Sequence, residues 1–250
     1  MSNIISVITS DIIGSSQIPE LELKTLQEAI AFFPDICKNK FPDMCEDLFT
    51  SFNNYRGDEY QIVLSKPELG FRIAVLLRLY MYMRTPYGEL NKELQENKKD
   101  NKMTSKEAMM WKRQLNCNRL YDIRSSIGIG SCSDVLADNG EAFVLSGHGL
   151  DALKSQKHTF TVDTCWKEVN EQLNLNMEFI EMIMSRWTPV QGRIAAYHFM
   201  NVPREKITKK VFVTHSAVSQ ALKVMNTNLI ERIIRSSEDI IRAKINTLAV

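Results

Sequence analysis

Val7-Ile8-Thr9-Ser10-Asp11-Ile12-Ile13-Gly14-Ser15-Ser16 decides how this chain is read: a β-branched apolar run, an acid at its end, then a small-residue turn. Such a run fits a buried strand, and Gly-Ser-Ser ends it because these residues favour turns. A second stretch, Arg56-Gly57-Asp58-Glu59-Tyr60-Gln61-Ile62-Val63-Leu64, inverts the order into turn, acid and apolar strand. Each places an Asp at a strand end beside small residues. Mg²⁺ takes one or two carboxylates and completes its octahedron with phosphate oxygens and water, and loop N–H groups cradle anions. Asp11 and Asp58 are therefore the candidate ligands for a divalent metal. The backbone of Ile12, Ile13, Gly14, Ser15 and Ser16 is the candidate phosphate cradle, and Gly57 supplies the turn beside it. The structural alternatives are Asp11 as a turn or helix-capping residue and Asp58 as an Asx-type hairpin residue. Glu59, one step along the strand, points to the other face and is the weaker candidate.

Working outward, residues 20–39 carry Leu23, Leu26, Ile30 and Phe33 at helical spacing, with Pro34 disturbing the later turns. Residues 48–53 and 59–64 read as two strands of a hairpin across Asn53 to Asp58. Pro67 opens a helix through the apolar segment Phe71 to Met83. Residues 85–104 are polar and lysine-rich and read as a solvated excursion, and a helix is expected over 103–120. Arg124-Ser125-Ser126-Ile127-Gly128-Ile129-Gly130 reads as a central strand whose glycines admit close backbone approach. A helix over 146–156 and an edge strand over 158–162 follow. The order βαββαβ with a further βα-like tail predicts an α+β domain over 1–164, a ferredoxin-like palm with its helices on one face.

From Cys165 onward nothing reads as a strand, so 165–250 is expected to be an all-α domain. Thr188 before Pro189 is an N-cap followed by proline at the first helical position. Residues 203–223 fit a helix, a short turn and a second helix capped by Thr214, a helix-turn-helix-like unit. The exposed face of the second helix would show His215, Ser216, Ser219, Gln220 and Lys223, side chains suited to base edges. Lys209 and Lys210, with Arg193, Arg204 and Lys206, supply positive charge for phosphates of duplex DNA. The turn carries Val211-Phe212-Val213 where such motifs use glycine. A packing or dimerising role for the same three helices is the alternative.

Composition sets the frame. Hydrophobic content of 44% and charged content of 24% are those of an ordinary globular chain, and a formal net charge of +1 means any nucleic-acid surface must be local. No basic, apolar leader opens the sequence, and no apolar stretch approaches the ~18 residues of a membrane span. Cys37, Cys45, Cys117, Cys132 and Cys165 are scattered and never in CxxC spacing. They fit reduced thiols of a cytoplasmic protein.

The segment Val7 to Ser15 resembles the first metal motif of class III nucleotide cyclases, an apolar strand followed by Asp-Ile-x-Gly. Gly57-Asp58 before an apolar strand resembles their second motif, and Arg124-x-x-Ile127-Gly128-Ile129-Gly130 their central strand. Together with Ser146-Gly147-x-Gly149-Leu150-x-Ala152-Leu153 and the helical tail, the pattern is similar to the SatD family over nearly the whole chain. The resemblance implies a nucleoside triphosphate held with Mg²⁺ or Mn²⁺ at Asp11 and Asp58, Arg124 near the phosphates, and a homodimer. If active, the site would promote attack of a ribose hydroxyl on the α-phosphate with release of pyrophosphate. Departures are visible. Purine-using cyclases place a Lys four residues before the second Asp, where Asn54 stands. Their Asn and Arg on the helix after the central strand have no match, for that helix offers Gly149, Asp151 and Lys154. A second reading follows: a DNA-binding regulator whose palm is a catalytically degenerate sensor or dimerisation domain.

Overall fold

The computed structural model describes residues 3–42, 49–55, 58–84, 121–134 and 139–248. The turn glycine Gly57 and the excursion and helix expected over 85–120 lie outside the described residues. In chain order the elements are β1 Asn3–Ile12, α1 Glu20–Ala31, α2 Phe33–Lys40, β2 Phe49–Tyr55, β3 Glu59–Leu64 and α3 Gly70–Arg84. They continue with β4 Ile123–Asp134, β5 Asn139–Gly140, α4 Glu141–Lys154 and β6 Phe160–Thr164. Helices α5 Lys167–Met184, α6 Pro189–Phe199, α7 Arg204–Val211, α8 His215–Val224 and α9 Thr227–Leu248 complete the chain. The fold class is α+β, with helices alone described after residue 166. No helix among the described residues is long and apolar enough to cross a membrane.

The sheet runs β2-β3-β1-β4-β5, and every neighbouring pair in that path is antiparallel. Among the described strands only β6 is parallel to its neighbour, pairing Phe160–Thr164 with residues 125–129 of β4. Alternate residues of β1 serve two cores, as the period-2 alternation of a strand requires. Ile8 and Ile12 join Leu26, Ile30 and Phe33 from α1 and α2 and the apolar face of α3. Ile5 and Val7 meet Val63, Ala142 and Phe143 on the opposite side. Helix α4 therefore covers the face that α1, α2 and α3 leave free. The expectation of helices on one face is corrected at this element.

Two local details follow from sequence chemistry. The helix expected over 20–39 divides at Phe32, because Pro34 lacks an N–H and its ring would collide with the carbonyl of Ile30. Helix α4 starts at Glu141 rather than at 146, and it lies almost against β4. A Cβ added to Gly128 would sit 2.1 Å from the carbonyl oxygen of Ala142, so only glycine permits this approach.

The tail packs on the α3 side. One apolar cluster runs without a break from Ile8 and Phe71 to Ile207, Val218, Ile234 and Ile241. Arg72 of α3 reaches α9 through Glu238 at 2.6 Å and Glu231 at 3.0 Å. Helix α5 buries Val169, Leu173, Met177, Ile180 and Met184, a stripe at helical spacing. Thr188 and Gln191 cap α6 reciprocally, with Pro189 in the first turn.

Candidate functional site

Strand β1 delivers Asp11 next to its C-terminal end, where β3 and β4 flank it on either side. In register, Asp11 lies opposite Glu59 on β3 and opposite Arg124 on β4. Directly opposed residues share a face, so Glu59, not Asp58, projects to the same side as Asp11. Arg124 grips the Asp11 carboxylate through both oxygens, Nε to Oδ1 at 2.9 Å and Nη2 to Oδ2 at 2.8 Å. Asp11 is only 5% exposed. A two-pronged guanidinium bond of this kind is among the stronger polar contacts in proteins.

The same face carries a second charge pair. Lys154, in the last turn of α4, bonds Glu59 at 2.9 Å and Asp151 at 3.1 Å. The hydrogen bond to Glu59 holds the Lys154 ammonium above its ordinary pKa. Beneath these pairs, the Thr9 hydroxyl donates to Ser146 and accepts from Gln61. From sequence Glu59 ranks only as the weaker candidate ligand, and Lys154 has no role at this site. The signal was available in the alternation of β3, which turns Glu59 toward Asp11 once the two strands are paired.

Asp58 lies in the turn just before β3 and leans toward the loop after β1. Its carbonyl accepts the N–H of Ile12 at 3.2 Å, and its Oδ2 accepts the hydroxyl of Ser15 at 2.7 Å. Burial, and then the charge of Asp58, pushes the neighbouring Tyr60 phenol up, so it stays protonated. The Asp11 and Asp58 backbones are thus adjacent, while their carboxylates hold different partners. Among the described residues, no three His, Cys, Asp or Glu side chains converge as a metal cluster.

The loop itself is pinned on both sides. Ile12 donates to Asp58, and Ile13 donates to the carbonyl of Asp122 at 3.0 Å. Those two N–H groups are spent, so the expected cradle narrows to Gly14, Ser15 and Ser16. Gly14 takes the left-handed conformation, φ 70°, that glycine adopts without strain, and a short 3₁₀ turn over Ser15–Gln17 follows. The first N–H groups of such a turn have no partner within it. Asp122 is itself fixed by Arg78, which reaches it at 2.6 and 2.7 Å from inside α3 and stacks over Phe160 at 5.2 Å. Two clefts elsewhere border neither Asp: one of about 320 Å³ lies between Phe41, α3, the end of α6 and α9, and one of about 230 Å³ lies between the end of α5, the start of α6 and the end of α8.

In the tail, α7, a three-residue connection and α8 follow one another in the expected order. Lys209 and Lys210 are exposed on α7, and Ser216, Ser219, Gln220 and Lys223 are exposed on α8. Lys210 lies over the ring of Tyr197 at 5.5 Å. Of the basic residues read from sequence, Arg193 is the exception, being buried in α6. No protein-family model, no curated protein and no solved structure matches the chain.

Proposed function

We propose that the chain binds a nucleoside triphosphate with Mg²⁺ or Mn²⁺ where the end of β1 meets the start of β3. One observation carries this reading: Asp58 is locked by two bonds to the loop that begins next to Asp11. Two carboxylates and a serine hydroxyl are hard oxygen donors, the set Mg²⁺ uses when phosphate and water supply the rest. A bound divalent ion would neutralise charge on the phosphates. The strand order β2-β3-β1-β4, antiparallel throughout with α1 to α3 on one side, supports a ferredoxin-like palm extended by β5, α4 and β6.

Arg124 has two roles in this reading. Without ligand it neutralises Asp11. Were Asp11 to hold a metal ion, the Arg124 guanidinium beside the same carboxylate would be free to take a phosphate oxygen. Ser15 and Ser16 would orient the terminal phosphates, and cyclisation of the ribose onto the α-phosphate is the turnover the arrangement would serve. A homodimer belongs to the same reading, as it does for class III cyclases.

Calorimetry with each of the four ribonucleoside triphosphates, with and without Mn²⁺, tests it. Metal-dependent binding is expected, and Asp58→Asn removes it. Ligand at a hundred times its Kd raises stability by about 2.7 kcal/mol, visible as a higher Tm. Arg124→Gln should tighten Mn²⁺ alone and weaken the nucleotide. Absence of binding by all four nucleotides would overturn the proposal.

A further inference from the structure

We infer that residues 204–224 are a docking unit for duplex DNA, in which α8 enters the major groove and α7 lies across the backbone. This role of the tail is independent of the nucleotide site. Helix α7 has eight residues and α8 has ten. The connection is Phe212, Val213 and Thr214, and it opens with a left-handed residue, Phe212 at φ 55°. A three- to four-residue turn between two helices is the spacing of DNA-reading helix pairs. The interior is apolar where such a pair needs it: Ile207 and Val211 from α7, Val218 and Leu222 from α8, all buried.

What remains outside is polar and basic. The side chains of His215, Ser216, Ser219, Gln220 and Lys223 are all exposed on α8, and α8 carries no acid. Gln and Ser side chains match base edges, and residues in the N-terminal half of a recognition helix are the ones that reach them. The Thr214 hydroxyl accepts the N–H of Ala217 at 3.2 Å and shares a hydrogen bond with the Ser216 hydroxyl at 3.1 Å, and the N–H groups of α8 before Ala217 have no acceptor within the helix.

Charge separates DNA from a protein partner. Between residues 186 and 230 the only acid is Glu205, against exposed Arg186, Arg204, Lys206, Lys209, Lys210 and Lys223. The whole chain is nearly neutral at +1, so positive charge is concentrated in this stretch, and five of these six cations stand exposed on α7 and α8 themselves. A phosphate backbone is the complement of such a surface. A docking face for protein would instead show a contiguous apolar centre. The exposed apolar side chains here, Phe212 at 49% and Val224 at 70%, lie at opposite ends of α8 and form no such centre.

Fluorescence anisotropy of the full chain with a labelled 30-base-pair duplex of random sequence, at rising KCl, provides the test. Binding should weaken steeply with salt, by about 0.9 in log K per log unit of salt for each phosphate contact. The double variant K209A/K210A should bind every duplex at least about tenfold more weakly and lower that slope by about 2. Selection from a randomised pool should enrich a motif with the native chain, and Gln220→Ala should blur one position of it. Circular dichroism and an unchanged Tm confirm that the variants fold. Three results overturn the inference: no binding at the lowest salt, an unchanged slope in K209A/K210A, or binding with no enriched motif. Self-association abolished by Ser219→Arg, without DNA binding, would assign the face to a second copy of the chain instead.

Discussion

Arg124 and Asp11 face each other across neighbouring strands, joined by two parallel hydrogen bonds of 2.9 and 2.8 Å. Asp11 is 5% exposed, while the Arg124 side chain keeps 24% of its surface in solvent. The pair therefore has one buried and one accessible member. Removing the accessible cation strands a buried carboxylate, and breaking such a pair from one side costs about 3 kcal/mol or more. Arg124→Ala should lose roughly this amount in urea unfolding, and adding Asp11→Asn should restore part of it by removing the unpaired charge. A loss within the ~0.5 kcal/mol of ordinary surface substitutions would show that Arg124 does not hold Asp11 in solution.

His198 gives the fold an acid-sensitive element. It lies at the C-terminal end of α6 beside Phe199, and burial, then the charge of Arg204, lowers its pKa below the ordinary 6.5. The unfolded chain takes up the proton first as pH falls, so acid favours unfolding. The stability tied to neutral His198 is fully present above about 6.5, the ordinary histidine value. It is lost as pH drops from there toward the lower folded value. Tm recorded from pH 7.5 to pH 5 should fall more steeply for the native chain than for His198→Gln. Parallel curves would show that His198 is not the group responsible.

Much of this architecture was legible in residue order. Strands β1 and β3 stand out as β-branched apolar runs and β4 by its Ile-Gly-Ile-Gly stretch, and Thr188, Pro189 and Thr214 mark helix starts that the caps reproduce. The misreadings share a cause: they concern which side an element takes and what it meets far along the chain. Helix α4 begins at Glu141 because Ala142 and Phe143 have Ile5 and Val7 to cover, and no local pattern in Glu141 to Leu145 reports a partner that remote. The pairing of Arg124 with Asp11 spans 113 positions and follows only from strand register. Arg78 was readable in part, since a charge inside the apolar run of α3 requires a partner. That the partner is Asp122, whose carbonyl then fixes the Ile13 N–H of the loop, required the fold.

Phe212 stands where a glycine would cost nothing. Its φ of 55° and ψ of 46° are left-handed, a conformation that crowds Cβ against the following carbonyl and costs an L-residue about 1–2 kcal/mol. Helices commonly end on glycine at this place for that reason. The ring is half exposed, so its loss complicates any direct comparison with the native chain. Comparing two variants that both lack the ring removes that complication. Phe212→Ala keeps the left-handed strain, whereas Phe212→Gly relieves it, offset by the greater freedom of glycine in the unfolded chain. Glycine should therefore exceed alanine here by about 1 kcal/mol, reversing the order expected inside a helix. Chemical denaturation of the two variants would read the difference. Because Phe212 leads into Thr214 and the start of α8, the strained turn also sets where the polar face of α8 is presented. If alanine proved the more stable, the turn in solution would not be left-handed at residue 212, and the alignment of α7 with α8 would have to be different.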